Sequence, residues 1–354
     1  MSWLTWRQFR GQAAVAAGCL AILAVVAALT GWHLAHLYDT TVATCHRYRD
    51  CSAVTSAFLR NDSTLRTWLG VLVVVGPGII GIFWGAPLVA RELETGTFRL
   101  AWTQSATRSR WLAVKLGLVG LASMVAAGLL SLVVTWWSSP LDRAGANVFG
   151  SFDQRDIVPI GYAAFAFVLG TTVGVLIRRT LPAMAATLVL FVAARLAMIH
   201  SVRPYLITPV LRVLALNPAS TGYGSSGSLL SGFGQSTLQP APPNIPNAWI
   251  LSIRIVDKAG AALTNHVLTS YCPGIGGPAG SGGGPAGGHT RVPVSVQKSL
   301  QDCVARVGTK YHELVSFQPA NRYWTFQWYE LAIYLGAALV LAGACFWWVR
   351  RRLA

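Results

Sequence analysis

The chain has 354 residues, of which 53% are hydrophobic and 11% charged, and its formal net charge is +16. A water-soluble domain carries about 25% charged residues, so this composition excludes an ordinary soluble fold. The basic residues are scattered among apolar stretches and form no continuous patch, which argues against a nucleic-acid partner.

Six windows of roughly 20 apolar residues are each long enough to cross about 30 Å of hydrocarbon as a helix. They run from Ala13 to Leu37, Leu69 to Val89, Leu116 to Trp136, Ile157 to Ile177, Leu181 to Ile199 and Trp328 to Val349. The predicted fold class is an all-α polytopic membrane protein, six transmembrane helices with a small mixed α/β external insertion between helices five and six. A membrane domain of helices one to five then covers 1–200, the external domain 201–327, and the sixth helix with its basic tail 328–354. The first span is too long for the apolar region of a signal peptide and lacks a clear small-residue cleavage site before His33 and His36.

Cys45 and Cys51 follow the first span, and with His33, His36 and His46 they offer metal-ligand types, but the spacing matches no closed zinc motif. In the second span, GPGIIGIFWGAP sets Gly81 and Gly85 at small-xxx-small spacing between Pro77 and Pro87, and Gly170 and Gly174 repeat that spacing in the fourth. Such spacing serves close helix packing; a bent, glycine-rich helix can also border a path that opens and closes.

Between the second and third spans lies RELETGTFRLAWTQSATRSRWLAVK, a polar hairpin from Arg91 to Lys115. Glu92 and Glu94 precede Gly96 and Thr97, and Arg108 and Arg110 precede the next helix. That charge order suits docking onto another protein at the membrane surface. The stretch resembles the corresponding segment of type-two ATP-binding cassette exporter permeases, where an R-E-x-E-x-G-T run is followed by a basic turn and a lysine. Gln104 and Ser105 stand where the family has a proline. The aromatic run before the sixth span and the terminal FWWVRRRLA are similar to the end of an actinobacterial group of these permeases.

The resemblance implies an assembly of two permeases with two separate ATPase subunits, with Arg91, Glu92, Glu94, Gly96, Thr97 and Arg108 coupling this chain to its ATPase. It also implies that helices two and five border the translocation route, which makes Gly81, Trp84, Gly85 and Arg195 candidate path residues. Arg195 lies four residues before the fifth helix ends; either it snorkels to the outer interface or it faces a cavity between two copies. The chain contains no G-x-x-x-x-G-K-[ST] and its inner loops are too short for a nucleotide-binding domain. No bound cofactor is therefore expected in this chain; ATP and Mg belong to the partner.

Orientation follows from the arginines and lysines of the short connections, because cytoplasmic loops retain positive charge. With both termini inside, twelve such residues fall inside and six outside, which places the chain in the plasma membrane with cytoplasmic termini and 201–327 outside. The basic inner face then meets anionic membrane lipid. All four loop cysteines fall on the oxidising side, where disulfides persist. Of the three possible connectivities, Cys45–Cys51 and Cys272–Cys303 are chosen. Cys19 and Cys345, within apolar helices, are expected to be inert packing residues.

In the external segment, SVRPYLITPVLRVLALNP is apolar enough to lie at or re-enter the outer membrane face. AWILSIRIVDKAGAALTNHVLTSYC alternates at Leu251, Ile253 and Ile255 and predicts a strand pair around the turn at Asp257 to Gly260. The tract 273–289 is a Gly-rich linker, and Val294 to Val307 predicts a short helix carrying Cys303. GSSG at 224–227 lacks the strand-turn-helix setting of a hydrolase. Tyr323, Trp324, Phe326, Trp328 and Tyr329 form an interfacial aromatic belt.

The sequence therefore points to the permease of an ATP-driven exporter for an amphipathic small molecule, peptide or lipid, working as a pair, most simply a homodimer. The alternative is a non-transport sensor or envelope-assembly scaffold with a ligand-binding external domain. An intramembrane enzyme finds no support: no span carries paired carboxylates, a His/Glu metal set or a Ser/His pair.

Overall fold

The computed structural model describes residues 2–45, 51–61, 63–96, 107–216, 221–226, 235–240, 245–271 and 294–352. Among them, six helices are long and apolar enough to cross a membrane, and a small sheet follows the fifth. Both features agree with the predicted class. The chain forms two compact units, Met1–Ile207 with Ala320–Ala354, and Thr208–Pro319.

In the first unit, the first span is α1 (Ser2–Leu37), continued by a π turn (Tyr38–Val42) and a last turn ending at Cys45. Cys45 is disulfide-bonded to Cys51, with a Cα–Cα separation of 5.8 Å, and α2 (Ser52–Asn61) follows. The second span is α3 (Ser63–Ile80), a π turn (Gly81–Gly85) and α4 (Ala86–Thr95). The third is α5 (Arg108–Arg143). A 3-10 segment, Val148–Gln154, leads into the fourth, α6 (Val158–Ile177). The fifth is α7 (Thr180–Ala197) with a π turn at Met198–Val202.

In hydrocarbon the lipid is as apolar as a leucine face, so helices associate through close packing and polar contacts rather than through burial from water. The second and fourth spans show the first device. A side chain on Gly81 would begin 2.7 Å from the Ala166 carbonyl oxygen, one on Gly85 2.5 Å from that of Phe167, and one on Gly174 2.6 Å from that of Ala86. Glycines on both helices therefore let backbone meet backbone. The π turn falls on this contact, one turn after Pro77 within the same helix, and Thr171 Oγ1 donates to the Gly85 carbonyl at 3.4 Å.

In the second unit, β1 (Val210–Ala215), β4 (Trp249–Asp257) and β5 (Tyr311–Gln318) form an antiparallel sheet in the order β1-β5-β4. A separate hairpin pairs β2 (Thr221–Ser226) with β3 (Gln235–Pro240). Helices α8 (Asn265–Tyr271) and α9 (Val294–Val307) supply Leu268, Cys303, Val304 and Val307 to a core with Leu216 and Ile255. The sixth span, α10 (Tyr323–Arg352), returns to the first unit.

Two expectations for this unit are corrected. Val210–Ala215 is a strand paired with Tyr311–Gln318, not a segment re-entering the membrane. The predicted strand pair is one strand, β4, followed by a turn in which Asp257 Oδ1 accepts the N–H of Ala259 at 2.9 Å and of Ala261 at 2.8 Å. Beyond it there is a single bridge, Val256 to Ala262, and then α8. The strand partner comes instead from Tyr311 onward, across a sequence gap that alternation cannot reveal. Cys272, with the Gly-rich tract 273–289, lies outside the described residues; Cys303 is buried and disulfide-bonded. Burial also raises the Glu313 carboxyl above its ordinary range.

Candidate functional site

Two polar constellations stand at opposite ends of the six-span unit. The first is the stem of the hairpin. Gly96 ends α4 at φ +73, a left-handed conformation that costs a side-chain-bearing residue energy. On the far side Thr107 caps α5, its hydroxyl oxygen 3.4 Å from the Arg110 amide. Residues 97–106, including Thr97, lie outside the described residues.

Both acidic residues of the stem are engaged within the chain. Glu92 forms an ion pair of 2.5 Å with Lys115 on the third span. The Lys115 ammonium also donates to the Leu88 carbonyl at 3.3 Å and stands 4.7 Å from the Trp111 ring centre. Lys115 is only 3% exposed, so its charge depends on these partners. Glu94 accepts from the Thr180 amide at 3.0 Å and its hydroxyl at 2.7 Å, which caps the fifth span with a negative charge where the helix dipole favours one. The second span is thereby tied to the third and the fifth. Arg91 is exposed on the same stem. Sequence reasoning offered Glu92 and Glu94 to a partner protein; their immediate partners are Lys115 and Thr180.

The second constellation fills the other end of the bundle. Arg203 makes a two-pronged pair with Glu330, Nε to Oε2 and Nη2 to Oε1, both at 2.8 Å. It also donates through Nη1 to Asp153 Oδ2 at 3.2 Å, and Nη2 closely approaches Oδ1. Arg195 pairs with Asp153 at 3.0 Å and Glu330 at 3.5 Å, its guanidinium 3.6 Å from the Tyr162 ring centre. The Tyr162 hydroxyl lies 2.6 Å from Glu330 and 2.8 Å from Asp153. Two cations and two anions balance, and Glu330 is fully buried.

An adjoining layer extends the network. Arg155 pairs with Asp142 at the end of the third span, Nη1 to Oδ1 at 2.8 Å. Tyr323 donates to Asp156 at 2.5 Å. Gln327 accepts the Val158 amide at 3.1 Å and donates to the Phe152 carbonyl at 3.2 Å. Spans three to six are bound together at this end by polar contacts, whereas the first and second meet the third there mainly through apolar residues such as Leu34, Leu69, Val73 and Trp137.

The expected path residues are thus distributed. Gly81 and Gly85 face the fourth span. Trp84 is half-buried, its ring 4.8 Å edge-on from Phe9. Arg195 is buried and paired with Asp153 and Glu330 of its own chain. The aromatic belt splits by helical face: Tyr323 and Phe326 are buried, while Trp324, Trp328 and Tyr329 are exposed. Cys345 is buried, but Cys19 is exposed rather than packed. Sequence reasoning missed Glu330, Gln327, Arg203 and Asp153. Their signal was the i, i+4, i+7 stripe Tyr323, Gln327 and Glu330, which marks one polar face at the start of an otherwise apolar helix.

A six-span helical bundle with a braced stem between the second and third spans at one end and a charge-balanced polar layer at the other is that of a multi-pass membrane protein. Residues 17–203, more than half of the chain, match the family described as ABC-2 membrane transporter related, and the chain belongs to that family. A permease of this family is a membrane component that works with an ATPase subunit. No curated protein and no solved structure matches the chain.

Proposed function

We propose that this chain is the permease of an ATP-driven exporter, with a separate ATPase docking on the 91–115 hairpin and a second permease copy completing the route. Both termini then face the cytoplasm and the Thr208–Pro319 unit lies outside. The cargo is an amphipathic small molecule, peptide or lipid, because the described spans enclose no wide polar channel. One observation carries this reading. The hairpin stem is tied by Glu92 to the third span and by Glu94 to the fifth, so a push on the hairpin moves three spans together rather than a loose loop.

Reversing charge at two hairpin residues that belong to neither tie, with Arg99→Glu and Arg108→Glu, tests the docking role. In proteoliposomes containing the chain and its ATPase, the variant is expected to lose cargo-stimulated ATP hydrolysis and export while its six spans insert normally. Unchanged hydrolysis and export would refute hairpin coupling.

A further inference from the structure

The two ends of the six-span unit hold their helices by different means, and the second span passes from one regime to the other. Its hairpin-side half, Gly81 to Thr95, is fixed. The glycine contact seats it on the fourth span, Glu92 ties it to the third and Glu94 to the fifth. At the opposite end the charge layer and its adjoining contacts join the third, fourth, fifth and sixth spans. Together these parts make one frame.

The far half of the second span, Ser63 to Gly76, lies outside that frame. With α2 and the first span it packs on the third through Leu34, Phe58, Leu69 and Val73 against Val134 and Trp137. This seam carries the hydrogen bond from Trp137 Nε1 to Thr30 Oγ1 at 3.1 Å. No ion pair among the described residues crosses it. In hydrocarbon, lipid tails re-cover apolar faces that part, so opening the seam forfeits packing and little else. Opening the frame would strip buried charges of their partners, a far larger loss.

Between the fixed half and the free half stands Gly76-Pro77-Gly78. Pro77 lies inside the helix and has no N–H for the Val73 carbonyl, so one rung of the helical ladder is missing at that turn. The flanking glycines bring no side chains to it, and a methyl added at Gly76 would meet only Leu130, at 3.7 Å. Bending of a helix concentrates at such a proline. The first span is unbroken from Ser2 to Leu37 and tilts as one rod. We propose that the far half of the second span, with α2 and the first span, is a lid that swings on Gly76 to Gly78 against a frame of spans three to six. This device goes beyond the export reading and belongs to the chain by itself. Thr64 stands about 18 Å along the helix from Gly76. A change of about 20° at a proline kink therefore carries it about 6 Å.

Paired spin labels on the purified full chain in lipid nanodiscs, in a Cys19→Ala, Cys345→Ala background, read the two distances that decide. Thr64→Cys with Thr325→Cys spans the seam, Arg143→Cys with Thr325→Cys lies within the frame, and all three side chains are exposed. The seam distance is expected to spread over about 6 Å more than the frame distance. Gly76→Ala with Pro77→Ala restores the missing rung and is expected to narrow the seam distribution to the width of the frame distribution, with the frame distance unchanged. A seam distribution no wider than that of the frame in the wild type would overturn the proposal without recourse to any hinge variant. So would a seam distribution that stays broad in the stiffened chain while the frame distance shows that chain to be folded. Neither ATPase nor cargo enters the measurement, so failure here is distinguishable from failure of the export reading.

Discussion

Glu330 is the residue on which the buried charge layer turns, because it accepts a two-pronged contact from Arg203 and receives Arg195, as Asp153 does, but unlike Asp153 it is wholly buried. Removing one partner from a buried ion pair leaves an uncompensated charge and costs about 3–5 kcal/mol, whereas replacing the pair by apolar groups can be nearly neutral. Glu330→Gln is therefore expected to lower the thermal midpoint of the purified protein markedly, and Arg203→Met with Glu330→Met to lower it less. An unchanged midpoint in Glu330→Gln would show that the layer contributes nothing to stability. At the other end, Glu92→Lys would set a second cation beside buried Lys115. That variant is expected to unfold at lower temperature, and the exchanged pair Glu92→Lys with Lys115→Glu to recover most of the loss. Failure of the exchange to rescue would count against the ion pair as the stem's tie.

Among the elements, the contact of the second and fourth spans is the least tolerant of volume. Gly85→Val would place atoms against the Phe167 carbonyl, where even a Cβ stands only 2.5 Å away. Backbone cannot yield as a flexible side chain can, so the two helices must separate. A cysteine pair across this contact, which should cross-link readily in the parent protein, is expected to cross-link poorly in Gly85→Val; equal yields would mean the contact is looser than described. In β5, Glu313 has a buried carboxyl oxygen without a hydrogen-bond partner, and its pKa is raised by burial. A raised carboxyl pKa means that the folded sheet favours the protonated form, so this residue weakens the fold as pH rises through its folded pKa. Glu313→Gln should increase the hydrogen-exchange protection of β5 at neutral pH and change little in acid. The opposite pH dependence would reverse this assignment.

For the whole molecule, the proposed orientation has a direct test. A cysteine at Ser226 is expected to react with an impermeant maleimide in intact cells and one at Ser105 to be protected; the reverse pattern would invert the bundle. Six spans were legible because apolar length alone decides whether a helix can cross hydrocarbon. The glycine contact was legible as a spacing, but the sequence did not say that Gly81 and Gly85 meet the fourth span. The charge layer was nearly invisible because its members come from 153, 195, 203 and 330, positions that become neighbours only when four elements converge.

What the sequence determined by itself was set by local, additive properties. The apolar runs gave the spans, and the R-E-x-E-x-G-T pattern marked the hairpin. What only the tertiary structure decided were the partners. Glu92 and Glu94 read as free surface carboxylates until Lys115 and Thr180 stand beside them, and Arg195 reads as a stray charge until Asp153 and Glu330 enclose it. Strand β1 likewise has no local mate and takes β5, about a hundred residues away. The physical reason is common to all three. Apolar length and turn chemistry act along the chain, but a buried charge or a strand edge is satisfied in space, by whichever group the packed fold brings within hydrogen-bonding distance.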